Sequence, residues 1–198
     1  MRTVSVTGHG EARIAPDSAV VRIAATHRAD GVAEALGGAD SAARQAIETG
    51  GEFTTPERIA TSSVQIWSEH DQHGNPAGFR ARHALTLRCD DIAAAGALLA
   101  ALADSVGDRL EVEGVSLEVA DQSAGLRAAR EAAYADAVDR ATQLAALAGA
   151  ELGEPQEVVE GGVASGPVRL AKAMASEAVL SPGETALSSS VTVTFRLR

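Results

Sequence analysis

The stretch Phe79-Arg80-Ala81-Arg82-His83-Ala84-Leu85-Thr86-Leu87-Arg88-Cys89 alternates: Phe79, Ala81, His83, Leu85 and Leu87 fall on one face, and Arg80, Arg82, Thr86 and Arg88 on the other. A period of two marks a β-strand with one buried face. Just upstream, Arg58 to Ser68 alternates as well, Ile59, Thr61, Ser63, Gln65 and Trp67 against Ala60, Ser62, Val64 and Ile66. Between them lies His70-Asp71-Gln72-His73-Gly74-Asn75-Pro76, polar and rich in turn formers. The two segments therefore read as one long hairpin. Only one face is strongly apolar, so the other meets water or a partner.

Towards the N-terminus, Val32, Ala35, Leu36, Ala39, Ala43, Ala46 and Ile47 follow helical spacing, with Asp30 as the expected cap and Gly50-Gly51 as the stop. Gly37-Gly38 weakens the middle of that helix by about 1 kcal/mol per glycine, and a kink is expected there. Before it, Thr3 to Thr7 reads as a strand, interrupted by Gly8-His9-Gly10. Such a glycine pair signals a bulge or a close approach of backbone. Glu11 to Ala15 continues extended, Pro16-Asp17 is a turn signal, and Ser18 to Arg28 returns as a strand. This predicts an N-terminal hairpin.

Towards the C-terminus, Asp90 or Asp91 caps a helix from Ile92 to about Asp104, which Gly107 stops. Leu110 to Ala120 is a strand. The clearest helix runs from about Ser123 to Ala148, with Leu126, Ala129, Ala133, Ala137, Ala141, Leu144 and Ala148 as its stripe and Gly149 as its cap. Glu154 to Glu160 is a short strand. Gly161 to Gly183 reads as a long loop with a turn of helix near Ala171 to Ala178. Leu187 to Leu197 alternates as a half-buried final strand. The order β-β-α-β-β-α-β-α-β-loop-β predicts an α+β fold, with largely antiparallel sheets and helices packed on one face. A single domain over 1–198 is expected, with one lobe at 1–77 and a second, ferredoxin-like lobe at 78–198 holding the loop 161–183.

The chain has 198 residues and a net charge of −10. Its basic residues are arginines with one lysine, Lys172, and they form no cluster, which speaks against nucleic acid as a partner. The acidity likewise opposes docking on an anionic membrane. The longest apolar run, Ile92 to Ala103, falls short of the roughly 20 residues of a membrane span. No apolar export segment follows Met1, so the expected location is cytoplasmic, or periplasmic or at the cell envelope if an export signal has been trimmed. Cys89 is the only cysteine, so no internal disulfide forms and an inert structural role is expected.

Glu69-His70-Asp71-Gln72-His73 is the densest cluster of metal-ligand types. Two histidines three apart on a hairpin tip do not preorganise a tetrahedral site, and the helix that makes His-Glu-x-x-His specific is missing. Gly161 and Gly166 have the spacing of a phosphate-binding loop, but Pro167 and Val168 stand where its Lys and Ser/Thr belong. Gly8-His9-Gly10-Glu11 is not a dinucleotide fingerprint, and no nucleophile elbow surrounds Ser188-Ser189-Ser190. His27 and His83 sit in strand patterns, expected to be satisfied or solvent-facing, and Glu111 and Glu113 read as solvation. No catalytic, cofactor or metal residue is assigned.

The opening Val4-Ser5-Val6-Thr7-Gly8-His9-Gly10-Glu11-Ala12-Arg13-Ile14-Ala15-Pro16-Asp17-Ser18-Ala19 resembles the VxGxGxxxxxPDxA start of SIMPL-domain proteins. Further similarities follow in order. Ile59 to Ile66 resembles the family's I-x-T-x-x-x-x-I strand, and Gly78-Phe79-Arg80-Ala81 its GYRA strand start. The helix from Asp91, Val112-Gly114-Val115, Leu126-Arg127 with Ala135 to Ala148, and Pro182-Gly183-Glu184 before the last strand also fit. The resemblance implies an α+β fold in two intertwined lobes, no established catalytic residues, links to the cell envelope and stress tolerance, and self-assembly. The function expected is that of a non-enzymatic self-assembling or partner-binding module, a homo-oligomer with a possible protein partner. The alternative is a protein that binds a small ligand between the lobes beside 161–183, and the third reading a metal-dependent enzyme using His70 and His73.

Overall fold

A computed structural model describes residues 2–162, 164–167 and 183–198. The expected helical turn at Ala171 to Ala178 lies outside the described residues. The chain forms two compact units, one from 17–118 and the other from the segments that precede and follow it. Both sheets are antiparallel, and the fold is α+β.

The flanking segments build the first unit. Strand β1 (Thr3–Ile14) pairs with β8 (Thr185–Leu197) over its whole length, Val6 opposite Val193 and Gly10 opposite Ser189. The other side of β8 pairs first with β7 (Ala164–Pro167) and then with β6 (Leu152–Glu160). Helix α3 (Ser123–Leu147) covers one face. Its buried line is Gly125, Ala129, Ala133, Ala137, Ala141 and Ala145, a residue every four. Val6, Val191, Val193 and Phe195 complete this core. Leu144 and Ala148, expected in that line, are exposed and Leu126 is half-buried, because the seam is only one small residue wide. Gly149 takes φ +62 just beyond the helix, the left-handed geometry that ends helices on glycine.

The second unit holds β2 (Ser18–Ala29), α1 (Val32–Gly50), β3 (Ile59–His70), β4 (Pro76–Cys89), α2 (Ile92–Val106) and β5 (Leu110–Glu118). The sheet order is β3-β4-β2-β5. A β-α-β-β-α-β chain in this order is the ferredoxin-like arrangement. The ferredoxin-like lobe is thus residues 17–118, not 78–198, and the expected boundary at 77 falls inside the β3–β4 hairpin. The N-terminal hairpin is corrected too: β1 pairs with β8, and β2 with β4 and β5. Pro16-Asp17 marks where the chain passes from one sheet to the other. A turn signal reports a change of direction and carries no information on the partner strand.

Helices α1 and α2 bury Ala42, Ala43, Ala46, Ala95, Leu98 and Leu102 against Val21, Ile23, Leu85 and Leu87. Asp91 caps α2 by accepting the Ala93 N–H at 3.0 Å. Asp30 does not cap α1: its N-cap is Gly31, without a side-chain bond. Helix α1 runs unbroken through Gly37-Gly38.

Candidate functional site

The hairpin tip holds His70 at the end of β3 and His73 in the turn, both exposed. The carboxylate between them is committed to the turn. Asp71 Oδ1 accepts the backbone N–H groups of His73 and Asn75, each at 2.8 Å, and Oδ2 accepts Asn75 Nδ2 at 3.0 Å. These bonds, that of the Asn75 side chain foremost, hold the Asp71 carboxyl below the usual range. Among the described residues no three His, Cys, Asp or Glu side chains converge as metal ligands.

Cys89 is fully buried, opposite Ala19 on β2, and burial followed by the Asp90 charge pushes its thiol up. Ser188, Ser189 and Ser190 lie in β8, and Ser189 is buried opposite Gly10. His27 packs its ring on α1: a Cβ built on Gly38 would lie 2.1 Å from His27 Cδ2.

His83 sits in a different setting. It projects from β4 towards α1 and is only 14% exposed. Its Nε2 lies 3.0 Å from Thr61 Oγ1 on β3, and its Nδ1 lies 3.8 Å from Asp40 Oδ1 on α1. Leu36, Gly37, Ala39, Asp40, Val64 and His83 line a groove of about 320 Å³ beside this chain of polar groups. The sequence reading missed Asp40 and Thr61. A bulge at Ser62 hides the connection, because the register passes from Thr61–Leu85 to Ser63–Ala84. A bulge of one residue moves every later side chain to the other face. Thr61 and Val64 therefore share a face, instead of Thr61 and Ser63. A Thr, an Asp and a His separated by 21 residues or more leave no local pattern.

The face of this sheet away from its helices carries a lattice of ion pairs. Arg28 and Arg80 reach Glu69 at 2.7 and 2.9 Å, Arg80 and Arg82 reach Glu111 at 3.3 and 3.6 Å, and Arg88 reaches Glu118 at 3.4 Å. Arg82 also pairs with Glu113. These arginines are matched by carboxylates of the same face, so Glu111 and Glu113 serve as partners as well as solvated charges.

The sheet edges differ in protection. On β1, the His9 N–H donates to Asp136 Oδ2 at 2.8 Å and the Thr7 carbonyl accepts from Arg140 at 3.1 Å. Two side chains of α3 thus occupy backbone groups that an incoming strand would need. The final strand β8 is paired on both sides. Edge strand β5 carries Glu111, Glu113 and Glu118 and is bulged near Gly114. On β6, Pro155 and two register shifts break the edge. Edge strand β3 has none of these charges: Ile59 to Ser68 is uncharged, with Val64 54% and Trp67 41% exposed.

No helix among the described residues is long and apolar enough to cross a membrane. No curated protein matches the chain. The model of the SIMPL family, described as a protein of unknown function (DUF541), matches residues 4–195. That span takes in every strand from β2 to β6 and all three helices, together with the Gly8-x-Gly10 motif and most of the strand pair β1–β8. A match so nearly complete settles the relationship: the chain belongs to the SIMPL family.

Proposed function

We propose that this protein is a non-enzymatic module that assembles with copies of itself through strand β3, in the cell-envelope or stress setting that its family resemblance implies. One observation carries the reading: β3 is a long edge strand whose residues 59–68 bear no charge, in a chain of net charge −10. Two acidic copies repel one another over most of their surface. They meet at least cost where neither presents a charge. A strand edge with no partner among the described residues then supplies backbone hydrogen bonds, and a two-fold axis lets the same strand serve both copies. The bulge at Ser62 leaves Ser63 to Ser68 as the regular run available for pairing.

Sedimentation equilibrium on the full chain and on Val64→Lys with Ile66→Lys tests this. The expected result is a concentration-dependent oligomer for the parent chain and a monomer for the double variant. A parent chain that stays monomeric at high concentration overturns assembly. An oligomer unchanged in the double variant places the contact elsewhere.

A further inference from the structure

We infer that the groove between α1 and β3 is a binding site for a small neutral compound bearing an aliphatic hydroxyl group. The groove has two chemical parts. Leu36, Ala39 and Val64 supply an apolar wall, and Asp40 with His83 supplies a polar end.

The polar end is incomplete in a defined way. Asp40 Oδ1 and His83 Nδ1 are 3.8 Å apart, beyond hydrogen-bond distance. Thr61 fixes the ring from the other side, at 3.0 Å from Nε2. With the Thr61 hydroxyl donating to Nε2, Nδ1 carries the proton. A hydroxyl oxygen at about 2.8 Å from both atoms closes the gap. It donates its own proton to the Asp40 carboxylate and accepts from Nδ1. A carboxylate ligand cannot donate and is repelled by Asp40. An ammonium ligand finds that charge already paired with Arg44. The neutral hydroxyl is the group that satisfies both partners.

Gly37 keeps the space beside this polar end open. A glycine in mid-helix weakens the helix but lets another group come close to its backbone. At Gly38 that group is the His27 ring. At Gly37 a Cβ meets nothing within 4 Å among the described residues, and the residue needs no unusual φ. It lines the groove. Its bare backbone leaves room for the aliphatic body of a ligand to lie along α1.

The inference does not depend on assembly through β3. The test is a titration of the full ¹⁵N-labelled chain, followed by NMR, with 1-hexanol, 1-hexylamine and hexanoate in parallel. The expected result is saturable shifts of the Gly37 and Val64 amides and the His83 ring with hexanol, in the millimolar range. The amine and the carboxylate should bind at least tenfold more weakly. Gly37→Leu, which fills the groove from a position with open space, should lower hexanol affinity at least tenfold while leaving distant amides in place. His83→Phe should do the same. No saturable response at these residues, an equal response to all three probes, or unaltered hexanol binding by Gly37→Leu would overturn the proposal.

Discussion

A Cβ placed on Gly8 would lie 2.1 Å from the carbonyl oxygen of Ala133 and 2.4 Å from the amide nitrogen of Ala137. Strand β1 and helix α3 therefore touch backbone to backbone. Gly10 repeats the contact one turn along, 2.1 Å from Ala129 O. The alanine seam of α3 is the other half of the same fit, since any larger side chain would lift the helix off the strand. Close packing leaves no flexible group to yield. Gly8→Ala should cost about 3 kcal/mol, within the range of severe overpacking. Urea unfolding of the variant measures it. A cost below about 1 kcal/mol would mean that α3 can shift on its sheet.

Adjacent glycines in α1 should respond with opposite signs. Gly37 faces open space, so Gly37→Ala gains helix propensity and stabilises by about 1 kcal/mol. Gly38→Ala forces a methyl to within 2.1 Å of His27 Cδ2, and should destabilise by about 1 to 3 kcal/mol as the ring is displaced. Thermal unfolding of the two variants side by side checks the pair. Changes of the same sign would mean that the ring does not pack on the helix.

What was legible in the sequence was what neighbouring residues encode. The alternation of Phe79 to Cys89, the spacing along α3 and the stop at Gly107 are local signals, and the elements stand where those signals put them. Gly8-His9-Gly10 offered a bulge or a close approach, and the close approach is what the structure holds. Pairing between distant segments was not legible. Nothing near Val6 says that its partner is Val193 rather than a residue of β2, and the ferredoxin-like lobe was displaced along the chain for the same reason. The groove stayed hidden because Ser62 bulges. Serine at 62 and serine at 63 read alike, yet the extra residue decides whether Ser63 or Val64 joins Thr61 on the face of His83.

Asp136 should make the stability of the β1–α3 contact depend on pH. Its carboxylate accepts the His9 N–H and pairs with Arg140, and the His9 bond above all holds its pKa below the ordinary 3.8. A carboxyl depressed in the folded state contributes stability that is complete above its unfolded pKa and disappears as pH falls through the folded one. Asp136→Asn should therefore lower the melting temperature at pH 7. The gap to the parent chain should narrow as pH falls below about 4. Melting curves across that range decide it. A gap that persists unchanged at pH 2 would assign the loss to geometry rather than to the charge.

Cys89 tests whether the second unit opens as a whole. It is 0% exposed within the cluster of Ala19, Leu87, Leu98 and Leu102, and its thiol is pushed up by burial and the Asp90 charge. Both effects suppress the thiolate, which is the reactive form. Labelling by a thiol reagent at pH 8 should be at least about 100-fold slower in the folded chain than in denaturant, because reaction waits for the core to open. Substitution should show the apolar character of the site. Cys89→Ser buries a hydroxyl among aliphatic groups and should cost about 2 kcal/mol. Cys89→Val, with no polar atom to strand, should cost less than about 1.5 kcal/mol. Rapid labelling of the native chain would mean that the end of β4 frays independently of the helices packed over it.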